Sequence, residues 1–184
     1  MDQDLSTTAL LVVDVQAGFD DPVWGTRNNP ACEGNVAALI ASWREAGRPV
    51  VFVRHDSVSE RSPLRPGRPG NALKPEVIGE PDLLVTKHVN SAFYGDPDLH
   101  EWLTGRGITG VAITGIQTNM CCETTARMAG NLGYETLFVL DATYTFDLPA
   151  HGGGTVTADE LARVTATNLQ DEFADVVMTA DLLG

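Results

Sequence analysis

The stretch Ile108-Thr109-Gly110-Val111-Ala112-Ile113-Thr114-Gly115 is an apolar, β-branched run that stops at a glycine, and Ile116-Gln117-Thr118-Asn119-Met120-Cys121 leads from it into a helical pattern. A strand that feeds a helix is half of a βαβ unit, the element from which parallel sheets are built. The helix is expected to begin near Thr118 or Asn119 and to stop at Gly133, because a glycine just past a helix takes the left-handed conformation that closes it. Cys121 then lies on its first turn.

The same alternation extends to both sides. Further strands are expected over Thr8 to Val15, Pro49 to His55, Leu83 to Lys87, Thr136 to Ala142 and Asp175 to Thr179. Between the first two, Pro30 starts a helix whose Val36, Leu39, Ile40 and Trp43 share one face, with Gly47 just past its end. Asp96-Pro97 reads as N-cap and first residue of a short helix ending near Gly105, and Thr157 to Phe173 as a last helix with Leu161, Val164 and Leu169 facing inward. The fold class is therefore α/β, an open parallel sheet with helices on both faces in three layers. Ser57 to Gly79 is Pro- and Gly-rich without periodicity, a long loop of the kind that is functional or mobile, and Phe146 to Thr155 is a second candidate lid. No repeat or linker divides the chain, so one domain is expected over residues 1–184.

Composition narrows the function. The 184 residues carry 12 Lys plus Arg against 25 Asp plus Glu, a net charge of −13, which opposes nucleic acid and anionic lipid as partners. The apolar runs fall far short of the ~20 residues that cross a bilayer. The start, Met1-Asp2-Gln3-Asp4, is acidic where a signal peptide is basic, so a cytoplasmic protein is expected. The three cysteines, Cys32, Cys121 and Cys122, lack a Cys-x-x-Cys spacing, which speaks against a disulfide framework or a cysteine zinc site.

Ligands of open parallel sheets bind outside the carboxyl ends of the strands. Asp14 ends the first expected strand, Lys87 the third, and Cys121 follows the fourth, so all three face one sheet edge. A thiol on the first turn of a helix and near an ammonium is favoured as thiolate, and Asp14 can take its proton and return it to a leaving amine. Each residue alone has an ordinary structural reading; only the joint placement points to catalysis. Lys87 and His88 are adjacent on a strand and so point oppositely. The four histidines are scattered, which speaks against a metal site. Gly105-Arg106-Gly107-Ile108-Thr109-Gly110 matches a dinucleotide fingerprint in spacing but precedes a strand, where its amides cannot face a pyrophosphate, so no cofactor is expected. Phe19, Trp24, Phe93 and Tyr94 fall in post-strand loops and, with Asp20 and His55, are the candidate substrate-binding residues; Asp20 and the net charge point weakly to a cationic ligand.

Three segments carry a resemblance. Ala9-Leu10-Leu11-Val12-Val13-Asp14-Val15-Gln16, Lys87-His88-Val89-Asn90-Ser91-Ala92-Phe93 and Gly115-Ile116-Gln117-Thr118-Asn119-Met120-Cys121-Cys122-Glu123-Thr124-Thr125-Ala126 resemble the acid, lysine and nucleophile segments of the isochorismatase-like cysteine hydrolases. That family includes nicotinamidases and N-carbamoylsarcosine amidohydrolases, and the likeness covers nearly the whole chain. It implies a Rossmann-like topology and a triad of Asp14 as base and acid, Lys87 as electrostatic support and Cys121 as nucleophile. It also implies a cis peptide before Gln117, an oxyanion hole from the backbone N–H groups of Gln117 and Cys121, and a homo-oligomer, dimer or tetramer. Cys122 stands where relatives carry valine and is expected to pack inward. The Asp-x-His metal pattern of nicotinamidases is missing from Arg54-His55-Asp56-Ser57, while Phe19 to Gly25 and Thr125 to Tyr134 look closest to a bacterial subgroup that includes streptothricin-type lactam hydrolases. The expected activity is cysteine-dependent cleavage of a C–N bond in a small molecule, of amide, lactam or carbamoyl type. Two alternatives stay open: vinyl-ether hydrolysis by Asp14 without covalent catalysis, and a non-catalytic thiol redox sensor.

Overall fold

The computed structural model describes residues 4–183, so the acidic start at residues 1–3 lies outside the described residues. Six parallel strands form the central sheet: β1 (Thr8–Val13), β2 (Val50–His55), β3 (Leu83–Lys87), β4 (Gly110–Ile116), β5 (Glu135–Tyr144) and, after a two-stranded hairpin of β6 (Leu148–Pro149) and β7 (Thr155–Val156), β8 (Asp175–Val177). Their order is β3-β2-β1-β4-β5-β8. The chain builds outward from β1 to β3 and then returns to place β4 on the other side of β1. The strand order thus reverses between β1 and β4, which is where a crevice opens at the carboxyl edge of such a sheet.

Alternate residues of β1 face opposite layers. Leu10 and Val12 pack with α1 (Cys32–Glu45), which brings Val36, Leu39, Ile40 and Trp43, and with Leu182 of α5 (Thr179–Leu183). Ala9, Leu11 and Val13 pack with Leu99 and Leu103 of α2 (Leu99–Thr104), Ala126 and Ala129 of α3 (Glu123–Asn131) and Leu169 of α4 (Ala158–Leu169). All three layers expected from the sequence are present. β1 is wholly buried because both of its faces are covered, which explains why it reads as one continuous apolar run. Among the described residues no helix is long and apolar enough to cross a membrane.

Local expectations fare unevenly. Gly47 and Gly133 take left-handed φ values of 66° and 87° where their helices stop. The short helix is capped by Asp98, whose side chain accepts from the Glu101 N–H at 2.8 Å, and Asp96–Pro97 is a cis peptide in the preceding turn, not the cap and first helical residue. The last long helix stops at Leu169, four residues before the expected Phe173, with Asp171 at φ 66°. Its Leu169 is buried, but Val164 is 46% exposed and so does not face inward, because the buried stripe runs through Ala158, Thr165 and Leu169. The loop over residues 57–79 is not free: Leu64, Asn71 and Lys74 are buried against the body of the domain.

Gly115 fixes how closely β1 and β4 approach. At φ 124° it lies against the Val13 backbone, and a Cβ placed there would collide with the Val13 carbonyl oxygen. Gly115→Ala is therefore expected to reduce soluble, folded protein severely. A thermal melt close to that of the parent would contradict this packing.

Candidate active site

Asp14 leaves β1 in the left-handed region at φ 53°, a conformation in which Asp is enriched among non-glycine residues. Its side chain is wholly buried, as is that of Lys87 at the end of β3. The Lys87 Nζ donates to Asp14 Oδ2 at 2.6 Å and to Cys121 Sγ at 3.4 Å, and lies 3.2 Å from His55 Nδ1. An ammonium has three protons, and here each has one acceptor. The other Asp14 oxygen, Oδ1, is buried without a hydrogen-bond partner. Asp14, His55 and Cys121 each place a metal-binding type of atom within 4.8 Å of the others. The Lys87 ammonium already lies among those atoms, so the arrangement fits its own cation and not an added one.

Cys121 sits in a π-helical turn, Thr118–Cys122, that runs into α3. Thr118 Oγ1 is tied to Thr143 Oγ1 at 2.9 Å, and Thr145 Oγ1 donates to Asn119 Oδ1, so the turn is pinned to the end of β5. The Ile116–Gln117 peptide is cis. Among the described residues no backbone carbonyl accepts from the Gln117 N–H. Cys122 faces the other way, fully buried against α3 and the sheet, with Sγ 3.9 Å from the Thr114 carbonyl oxygen. Cys32 is likewise buried, and burial raises both thiols above their ordinary range.

The charge balance departs from the sequence reading in one respect. Burial pushes the Cys121 thiol up, the charge of the Asp14 carboxylate pushes it further, and Lys87 only partly opposes them. That balance favours the neutral Cys121 thiol, beside an Asp14–Lys87 ion pair, over the thiolate expected from the sequence. Burial also works to lower Lys87, yet Asp14 and Cys121 together hold it raised, so it stays an ammonium.

These groups floor a cleft of about 340 Å³ lined by Asp14, His55, Gln117 and Cys121 together with Phe19, Trp24, Phe146, Leu64 and Leu148. Phe19, Trp24 and Phe146 form one aromatic wall, with ring centroids 5.0, 5.8 and 6.3 Å apart. Of the six candidate substrate-binding residues, Phe19, Trp24 and His55 line the cleft; Asp20, Phe93 and Tyr94 do not. Asp20 is bound by the Lys74 ammonium, which removes its part in the argument for a cationic ligand. Phe93 is buried and stacks on Tyr134 at 5.8 Å, and Tyr94 is 70% exposed. The sequence reading missed Phe146, Leu64 and Leu148, which come from the two loops read as lids. It also missed Gln16, wholly buried, which clamps the His55 backbone: Gln16 Oε1 accepts from its N–H at 2.8 Å and Gln16 Nε2 donates to its carbonyl oxygen at 3.1 Å. His88 points out to the Asp56 carbonyl, opposite to Lys87 as alternation on a strand requires.

Behind the aromatic wall, Glu33 accepts from Arg27 at 2.6 and 2.9 Å and from Lys74 at 2.8 Å, and the Arg27 guanidinium lies 3.4 Å from the centre of the Tyr144 ring. Burial works to raise the Glu33 carboxyl, but Arg27 and Lys74 outweigh it and pull it down to about 2 from an ordinary 4.5. A depressed folded-state value stabilises the protein above pH 4.5 and loses that contribution as pH falls towards 2. Glu33→Gln is expected to cost about 2–3 kcal/mol at pH 7, with a difference that shrinks below pH 4.5 in urea unfolding. Equal losses at pH 7 and pH 3 would contradict the ion-pair origin.

The family pattern described as an isochorismatase domain matches residues 8–176. The chain belongs to the isochorismatase family. The isochorismatase-family protein YrdC of Bacillus subtilis is 39% identical over 177 residues, covering 95% of this chain and 94% of its own. Nicotinamidase 3 of Arabidopsis thaliana is 33% identical, covering 96% and 87%, and a streptothricin hydrolase of Streptomyces noursei is 31% identical, covering 94% of this chain and 63% of its own. Among solved structures, an isochorismatase-family protein from Chromobacterium violaceum superimposes with a TM-score of 0.94 at 38% identity, covering 100% of this chain and 95% of that one. A cysteine hydrolase from Pseudomonas syringae pv. phaseolicola gives 0.87 at 26% identity, covering 100% and 93%. The chain is thus a hydrolase of the isochorismatase family, sharing its six-stranded fold.

Proposed function

We propose that this isochorismatase-family hydrolase cleaves a C–N bond of a small molecule through a covalent intermediate on Cys121. One observation carries the reading: Lys87 Nζ bridges Asp14 Oδ2 and Cys121 Sγ at 2.6 and 3.4 Å while Asp14 Oδ1 has no partner. Similarity to proteins named nicotinamidase, streptothricin hydrolase and cysteine hydrolase supports it.

In the first half-reaction, sulfur attacks the carbonyl carbon as Asp14 takes the thiol proton, and the N–H groups of Gln117 and Cys121 receive the developing oxyanion. Collapse breaks the C–N bond, the Asp14 proton passes to the leaving nitrogen, and a thioester remains. In the second half-reaction Asp14 removes a proton from water, the hydroxide displaces the sulfur, and that proton returns to the thiol. Lys87 holds its charge throughout. It steadies the carboxylate before the transfer and the sulfur during it. The aromatic wall and Leu64 favour a partly apolar, uncharged substrate.

Hydrolysis of a panel of primary amides, lactams and N-carbamoyl compounds, read as released ammonia or as a newly freed amino group, tests this reading. Turnover of at least one C–N substrate is expected. The unpartnered Asp14 Oδ1 also suits a second reading, protonation of a vinyl ether by Asp14 alone. Turnover of vinyl ethers and of no amide in the panel would favour it.

A further inference from the structure

Four histidines are present, and His55 alone reaches the Lys87 ammonium. His55 ends β2, and the parallel register pairs it directly with Lys87 at the end of β3. Its main chain is fixed by Gln16 at both the N–H and the carbonyl, and Asn71 Nδ2 also reaches that carbonyl at 3.3 Å. These contacts fix the main chain from which the imidazole reaches Lys87. Nδ1 lies 3.2 Å from an ammonium, which is donor only, so Nδ1 must be the unprotonated, accepting nitrogen and the ring proton must sit on Nε2. Among the described residues Nε2 has no protein partner, and the ring lines the cleft beside Cys121.

Resting on the reading of Cys121 as nucleophile, we propose that His55 is a positioning residue: neutral, in the Nε2–H tautomer, it takes the third proton of Lys87 through Nδ1 and so aims the ammonium at Asp14 and Cys121, while Nε2–H stands in the cleft as a donor for a substrate oxygen. Two contacts, to Asp14 and Cys121, would leave the third proton of a buried ammonium without an acceptor, and an unmet buried donor is costly. His55 Nδ1 meets it. The surrounding charges agree with a neutral ring. Burial and Lys87 hold His55 below its ordinary 6.5, His88 adds to this, and Asp14 and Asp56 pull the other way without prevailing. Protonation of His55 would set a second cation against the ammonium and break the aim of Lys87.

Two measurements on the 184-residue chain test this without a substrate, so a failed amide panel leaves them intact. The first is the tautomer, read from long-range proton–nitrogen correlations of protein labelled with ¹⁵N-histidine and assigned by the loss of one ring in His55→Asn. The Nε2–H form is expected to be the major form at pH 6.5, and Lys87→Met should move the titration of His55 upward. An Nδ1–H tautomer, or a titration unchanged by Lys87→Met, would overturn the proposal. The second is the rate and pH profile of Cys121 alkylation by iodoacetamide, read by peptide mass spectrometry. His55→Asn retains an acceptor at the Nδ1 position and should stay within about threefold of the parent, whereas His55→Leu, similar in bulk but without an acceptor, should slow alkylation about tenfold at pH 8. Equal profiles for Asn and Leu would show a role in packing only and would also overturn it. If the Leu variant does not fold, the tautomer and the Asn variant still decide.

Discussion

Replacing Cys121 by alanine should reduce turnover of any C–N substrate by at least about 10⁴-fold, because loss of a nucleophile removes the covalent route and leaves only binding and the oxyanion donors. Cys122→Ala, one residue away, should retain turnover within a fewfold. The contrast follows from placement: Cys121 Sγ faces Lys87 and the cleft, whereas Cys122 Sγ is enclosed by core residues and touches the Thr114 carbonyl. Cys122→Ala empties a buried site the size of one sulfur, for which a loss of about 1 kcal/mol is expected. Steady-state rates and thermal melts of the two variants separate these roles. Comparable activity in both would remove the nucleophile from the account and leave Asp14 as the reacting group.

Asp14→Asn should produce two effects of opposite sign. Turnover should fall about 10³-fold, since the amide neither accepts the thiol proton nor returns it to the leaving nitrogen. The Cys121 thiol should nevertheless ionise more easily, because the charge of Asp14 raises it and Lys87, which lowers it, remains. Alkylation of Cys121 by iodoacetamide at pH 8 should therefore speed up as catalysis collapses. Lys87→Met should do the reverse to the thiol, slowing alkylation at the same pH. A fold defect slows chemistry generally and does not raise one rate while lowering another. Parallel losses of alkylation and turnover in Asp14→Asn would contradict the assignment of Asp14 as proton acceptor.

The sequence carries the sheet well because strands buried on two faces are written as unbroken β-branched runs; β3 is found at Leu83–Lys87 as expected, and the others within a few residues. The same logic brings Asp14, Lys87 and Cys121 to one edge, since residues just past parallel strands share that edge. What local sequence does not hold is competition between partners far apart in the chain. Asp20 looked free for a ligand until Lys74, 54 positions away, is seen to bind it, and Phe93 looked like a pocket wall until Tyr134 is seen stacked on it. The raised Cys121 thiol runs against the thiolate expectation for a related reason. A helix terminus and a nearby lysine can be read from spacing, but the burial of Cys121 and the nearness of Asp14 emerge only when three strands come together, and they outweigh Lys87. The contact between His55 and Lys87 is the intermediate case. Both were recognised as strand-end residues, and a register for β2 against β3 would have paired them.

Covalent catalysis here requires that an intermediate form on Cys121 and that Asp14 discharge it. Acetylation by p-nitrophenyl acetate, followed by rapid quench and peptide mass spectrometry, tests this most directly. A single acetyl group on the peptide bearing Cys121 is predicted, absent in Cys121→Ala, located on Cys121 and not on Cys122, and released by water far more slowly in Asp14→Asn than in the parent. Release of p-nitrophenol with the label on another residue, or undiminished in Cys121→Ala, would contradict it.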